Sequence, residues 1–261
     1  DGAAFTDIAS DASIEAAGTV EIDHYQPVAT INDSGATVLA QPVPVLFGPL
    51  NGQLFGLGDP YRPGHVYASK QGEPDHWPPD LICEVCPAGE QLMNGCLFGG
   101  QPYVFSRERL HAIYVNLGSA NSITSAPTEC REGLAGRWAM AVGYGAMWFV
   151  SPTGVYRTAG GPEDCISGKI KPLFSLIPGQ SVNGYSPIDF TVPTALRLAC
   201  YDQELWFCYQ DTLGARQVLI YQILTGRWRH YTYAVPLAFV AADGTNPEAT
   251  LILGGASSGA A

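Results

Sequence analysis

Apolar residues in this chain gather in short runs broken by glycine, proline, asparagine and aspartate, and no long stretch places them at helical spacing. Residues 13–17 make the best candidate for a helical turn, and it is brief. Four of the runs are variants of one phrase. Starting near Gln53, Gln101, Ala146 and Glu204, they read Gln-Leu-Phe-Gly-Leu, Gln-Pro-Tyr-Val-Phe, Ala-Met-Trp-Phe-Val and Glu-Leu-Trp-Phe-Cys. Each follows a turn, and each is followed by a second strand-like run that ends on tyrosine: His65-Val66-Tyr67, Ala112-Ile113-Tyr114, Gly154-Val155-Tyr156 and Leu219-Ile220-Tyr221. The copies are 48, 45 and 58 residues apart. Such a period suits a four-stranded sheet better than a helical repeat of about 34 residues. The pattern predicts an all-β fold, a β-propeller of about five four-stranded blades at about 45 residues each, with a sandwich or another β-rich fold as the alternative.

One hairpin can be assigned a register. A two-residue turn at Asp202-Gln203 sets residues 195–201 against Glu204–Gln210. Tyr201 then faces Glu204, Cys200 faces Leu205 and Leu198 faces Phe207. Because side chains alternate, Leu196, Leu198, Cys200, Leu205 and Phe207 share one face, and Arg197, Ala199, Tyr201, Trp206 and Cys208 share the other. Both faces are largely apolar, as expected of a sheet covered on both sides. The same register puts Cys200 and Cys208 on opposite faces, where they cannot bridge.

Residues 1–41 carry no copy of the phrase and are read as an N-terminal arm or ring-closing segment, with candidate strands at 19–22 and 37–39; residues 42–261 form the propeller. Asp1 is not a natural start, and 251–255 resembles the opening of another strand, so the propeller is expected to be incomplete, or a piece of a longer or processed chain. The uncharged run 138–156 contains Gly143, Gly145, Pro152 and Gly154 and splits into two strands about Gly143-Tyr144-Gly145, which argues against a membrane span. Thirteen basic residues stand against 24 acidic ones, a formal net charge of −11. A surface of that sign repels phosphate and disfavours nucleic-acid binding; solubility is its simplest use.

Chemistry is sparse. The seven cysteines, at 83, 86, 96, 130, 165, 200 and 208, are odd in number, so at least one thiol is unpaired. Cys83-x-x-Cys86 with Cys96 nearby could hold zinc if His111 or Cys130 completed the set, could form a Cys83–Cys96 or similar disulfide, or could be plain thiols. The other histidines, 24, 65, 76 and 230, show no metal spacing, and Asp75-His76-Trp77 reads as a turn. Asp59, Asp164 and Asp202 could converge from different blades as a carboxylate pair for glycoside cleavage, although nothing in the sequence singles them out. The Ser-x-Asp-x-Gly-x-x-Trp box of sialidase-type propellers is missing: in Ser69-Lys70-Gln71-Gly72-Glu73-Pro74-Asp75-His76-Trp77, Gln71 replaces the aspartate. Nucleophile-elbow, phosphate-loop, WD-type and kelch signatures are missing too. No catalytic residue and no cofactor is assigned.

Val66-Tyr67-Ala68-Ser69-Lys70-Gln71-Gly72-Glu73-Pro74 with Trp77 resembles a segment of the β-propeller tail proteins of short-tailed bacteriophages, the nozzle, tail-hub or stabilisation proteins. Three later stretches fit the same order: Asn94-Gly95-Cys96-Leu97-Phe98 through residues 104–114, residues 149–161 with Ser151-Pro152-Thr153-Gly154-Val155-Tyr156-Arg157 and Gly160-Gly161, and Ile170-Lys171-Pro172-Leu173-Phe174. The resemblance spans about residues 45–232 and is a pattern of residue types. It implies a virion structural protein without enzymatic activity. Such a protein would form a ring with copies of itself around the DNA-exit channel, dock other tail proteins, let DNA pass without specific binding, and insert in no membrane. The rival readings are a secreted carbohydrate-binding or glycoside-cleaving propeller and a protein-interaction platform.

Overall fold

Four tight turns set the architecture of the computed structural model, which describes residues 43–255 apart from 75, 88, 117–121, 176–179, 233–236 and 244–249. Asn51-Gly52, Gly99-Gly100, Tyr144-Gly145 and Asp202-Gln203 all have positive φ at both positions. Paired positive φ values make a primed turn, whose twist matches that of the strands it joins. Each of these turns connects the first and second strands of a sheet, and each immediately precedes one copy of the repeated phrase.

The first sheet is formed by β1 (Val45–Leu50), β2 (Gln53–Leu57), β3 (His65–Ala68) and β4 (Ile82–Glu84), and the second by β5 (Leu92–Phe98), β6 (Gln101–Ser106), β7 (Leu110–Asn116) and β8 (Ser122–Pro127). The third holds β9 (Met140–Gly143), β10 (Ala146–Ser151), β11 (Gly154–Thr158) and β12 (Asp164–Cys165), and the fourth β13 (Arg197–Tyr201), β14 (Glu204–Gln210), β15 (Arg216–Gln222) and β16 (Arg227–Tyr231). All four are antiparallel with neighbours in chain order. A fifth sheet pairs β17 (Leu237–Asp243) with β18 (Thr250–Gly255). The first strands touch in succession, β1 with β5, β5 with β9, β9 with β13 and β13 with β17. Meander sheets that meet through their first strands are the blades of a β-propeller: four complete blades and, among the described residues, two strands of a fifth.

The repeated phrase is thus the second strand of each blade, and the run ending on tyrosine is the third. Second strands lie between neighbours on both sides, which explains their continuous apolar character; every residue of β10 is buried. The core lies between blades. Phe55, Leu57, Val66, Val104 and Ile113 fill the space between blades 1 and 2. Phe105, Trp148, Phe149, Leu205 and Phe207 fill the space from blade 2 to blade 4. Ala199, Trp206, Cys208 and Ile220 pack on Leu237 and Val240 of the fifth sheet.

The register at Asp202-Gln203 is as the sequence predicts, with Tyr201 opposite Glu204, Cys200 opposite Leu205 and Leu198 opposite Phe207. The expected first strand is shorter, because Pro193–Ala195 forms a 3-10 turn and β13 begins at Arg197. Leu198 and Phe207 face blade 3, whereas Ala199 and Cys208 face the fifth sheet, so Cys200 and Cys208 are indeed on opposite sides. Among the described residues no helix is long and apolar enough to cross a membrane, and the stretch 138–156 turns at Tyr144-Gly145 as expected. The expected helical turn at 13–17, the strands at 19–22 and 37–39, and Asp75 lie outside the described residues.

Candidate functional site

The three acids considered for glycoside cleavage have separate duties. Asp59 is buried where β2 ends. Its Oδ1 accepts a hydrogen bond from the Tyr61 backbone N–H at 2.9 Å, and its Oδ2 accepts one from the Tyr67 hydroxyl. Burial, followed by this hydrogen bond, pushes the Tyr67 phenol well above its ordinary range. Asp164 is exposed on β12 and pairs with Arg157 across the strand at 2.8 Å. Asp202 is exposed in the primed turn between β13 and β14. Turns that join first to second strands lie at the opposite end of a meander from those that join second to third strands. Asp59 and Asp202 therefore occupy opposite rims of the propeller, and the three acids do not converge.

Asp59 belongs to a set that the repeat alone did not reveal. A buried polar residue stands at the end of each second strand or one to two positions beyond it: Asp59, Ser106, Ser151 and Asp211. Each accepts hydrogen bonds from the turn that follows. Ser106 Oγ accepts from Glu108 N and Arg109 N, and Asp211 Oδ1 from Leu213 N at 3.0 Å and Ala215 N at 2.8 Å. Ser151 Oγ accepts from Thr153 N and donates to Glu132. These side chains satisfy turn N–H groups that the sheets cannot reach. Their sequence signal was a polar residue five to seven positions into each copy of the phrase.

All seven cysteines are free thiols. Cys83 faces the core between blades 1 and 2, with its Sγ near the Glu84 carbonyl. Cys96 faces the opposite side of blade 2 and meets Met147 Sδ at 3.5 Å. A sheet thus separates the two, and neither the Cys83–Cys96 disulfide nor the Cys83, Cys86, Cys96 zinc set forms. Cys130 meets the Glu132 carbonyl instead. Cys86 does meet His111, Sγ to Nε2 at 3.7 Å, and a Glu90 carboxylate oxygen completes a group whose donor atoms all lie within 4.8 Å of one another. Burial pushes the Cys86 thiol up to about 12 and lowers the His111 imidazole. The sequence offered His111 as a companion to the cysteines, and the structure brings it to Cys86 alone of the three, while nothing in the sequence pointed to Glu90. His76, read as part of a turn, is buried between β3 and β4 with Nδ1 3.1 Å from Glu73.

Two surfaces remain open. A cleft of about 1000 Å³ beside blade 3 is lined by Thr153, Tyr156, Lys171, Phe174 and Phe190. At the fifth sheet, Ile252 and Leu253 of β18 are 49% and 37% exposed, and at the other end of the row Leu46 of β1 is 57% exposed.

No protein-family model matches this chain, and no curated protein resembles it. Among solved structures, the BT4673 extracellular domain of B. thetaiotaomicron is similar at 14% identity with a TM-score of 0.45, over 86% of this chain and 26% of that one. The N-terminal domain of Nup159 gives 8% and 0.38, over 81% and 53%. The SapL1 lectin, solved with alpha methyl fucoside, gives 9% and 0.42, over 81% and 71%. The chain spans about a quarter of the BT4673 domain and about half of the Nup159 domain. Likeness this distant says nothing of function, and the fold rests on the blades themselves.

Proposed function

We propose that this chain is a structural propeller of a virion: a nozzle or hub component of a short-tailed bacteriophage tail, forming a ring with copies of itself around the DNA-exit channel and docking other tail proteins. The observation that carries the reading is the pair of apolar positions exposed at the two ends of the row of described blades. Among the described residues β18 is an edge strand with exposed Ile252 and Leu253, and β1 presents exposed Leu46. An apolar edge strand invites pairing with another chain, and unlike ends joined head to tail generate a ring when the rotation closes. The segments of tail-protein resemblance support the reading, because they coincide with structural units: β3, β5 to β7, β10 to β11 with the Gly160-Gly161 turn, and the 3-10 turn Gly168–Phe174. The net charge of −11 supports it as well, since an acidic protein does not hold DNA.

Light scattering and negative-stain imaging test it. A ring-shaped homo-oligomer is expected, and Ile252→Lys with Leu253→Lys should convert it to folded monomers. A wild-type protein that stays monomeric at tens of micromolar overturns the ring.

The cleft at Tyr156, Phe174 and Phe190 favours a second reading, carbohydrate binding, because aromatic faces beside hydroxyl and amide groups suit sugar rings. Glycan-array binding that disappears in Tyr156→Ala and Phe190→Ala would support this reading over the first.

A further inference from the structure

We propose that Cys86, Glu90 and His111 form a binding site for one zinc ion, which fastens the link between blades 1 and 2 to the third strand of blade 2. Cys86 and Glu90 lie on the connection from β4 to β5, and His111 lies on β7. The connection is held in place without any metal. The Cys86 N–H donates to the Gly64 carbonyl at 3.2 Å, the Glu90 N–H to the Pro87 carbonyl at 3.1 Å, and the Leu92 N–H to the Pro63 carbonyl at 2.9 Å. Gly64 allows this approach, since a Cβ there would stand 2.5 Å from the Cys86 carbonyl oxygen. The donor atoms are therefore presented by backbone that is already ordered.

Their spacing is that of ligands around one small ion. With Zn–S at about 2.3 Å and Zn–N at about 2.0 Å, two tetrahedral ligands are about 3.5 Å apart. Cys86 Sγ and His111 Nε2 are 3.7 Å apart. As a hydrogen bond that contact is weak, whereas as an edge of a coordination tetrahedron it needs almost no adjustment. A thiolate, an imidazole and a carboxylate together select zinc over the hard cations.

An unmet polar atom points the same way. Cys86 is 2% exposed and His111 6%. Glu90 Oε1 is buried without a hydrogen-bond partner. Buried polar atoms are normally satisfied, and an orphan beside two donor atoms calls for a ligand or ion. Charge also balances: a thiolate and a carboxylate neutralise a dication, so the loaded site buries no net charge. Three protein ligands leave the fourth position to water. The near-complete burial of Cys86 and His111 suits an ion that fastens the two segments together.

The test uses the full chain, purified without a histidine tag from zinc-supplemented medium. Mass spectrometry of the metal content should give about one zinc per chain. Stripping it with a chelator should lower Tm by about 5 °C or more, and zinc alone should restore it. Cobalt in its place should show a thiolate charge-transfer band. Cys86→Ser should abolish that band, and His111→Gln or Glu90→Gln should weaken zinc affinity by at least about tenfold, whereas Cys83→Ser should leave both unchanged. If the variants do not fold, titration of wild type with zinc decides. Substoichiometric zinc with no change in Tm on adding it, or a cobalt band that survives Cys86→Ser, overturns the site.

Discussion

Gln203 occupies a conformation that its side chain disfavours. It and Asp202 have φ of 61° and 44°, where the other three equivalent turns place glycine at the second position. Gln203→Gly removes this strain and should stabilise the protein by about 0.5–1 kcal/mol, read from urea denaturation. Asp211 works in the opposite sense. Its carboxylate holds two turn N–H groups and the Gln217 amide in a buried setting, so Asp211→Ala should cost about 2–3 kcal/mol. Next in line is His230, stacked on Tyr185 with ring centroids 3.8 Å apart, its Nε2–H donating to Gln217 Oε1 at 2.9 Å. Burial lowers its pKa below 6.5. In the folded protein the ring therefore stays neutral at pH values where the unfolded chain already takes up a proton. Stability from this residue is complete above pH 6.5 and is lost as pH falls below it, until the folded ring also protonates. Thermal melts from pH 7.5 to 5 should show a falling Tm, and the fall should be shallower in His230→Gln. None of these roles could be read from the sequence, because each depends on which partner the fold delivers.

Strands were far more legible than side-chain roles. The second and third strands of all four blades stood out because burial on both faces leaves an uninterrupted apolar signature, and the turn before each had few alternatives. First and fourth strands were harder. β12 is two residues long and exposed, and β16 alternates exposed and half-buried positions. The connections were opaque, because they are shaped by what they touch. Residues 129–139 between blades 2 and 3 form no strand, yet Leu134 N–H donates to the Ser106 carbonyl and Ala135 N–H to the Val150 carbonyl. At Gly133 a Cβ would come within 2.3 Å of the Arg107 backbone. The atoms it would meet belong to the Arg107–Glu108 peptide, backbone that cannot swing aside as a side chain would, so Gly133→Ala should destabilise by about 2–3 kcal/mol, measured by denaturant unfolding. The cysteines illustrate the same limit. Proximity in sequence suggested Cys83 with Cys86 and Cys96, but alternation sends Cys83 and Cys96 to different sides of a blade and brings Cys86 to His111 instead.

For the whole molecule, the repeat fixed the kind of object, a succession of radially packed sheets, and left its partners open, since those depend on the ends of the row. The two rims of the propeller are also unequal. On one, every hairpin from a first to a second strand closes through two residues of obligatory geometry, and adding a residue there would shift the register of an entire blade. On the other, the connections run 58–64, 107–109, 152–153 and 211–215, each anchored by a buried polar side chain at the strand end and otherwise free to differ. Natural variation and engineered grafts should therefore spare the first-to-second turns and be tolerated in these second-to-third connections. A foreign epitope inserted at Gly214 should leave the blades intact, while the same insertion between Tyr144 and Gly145 should yield insoluble protein.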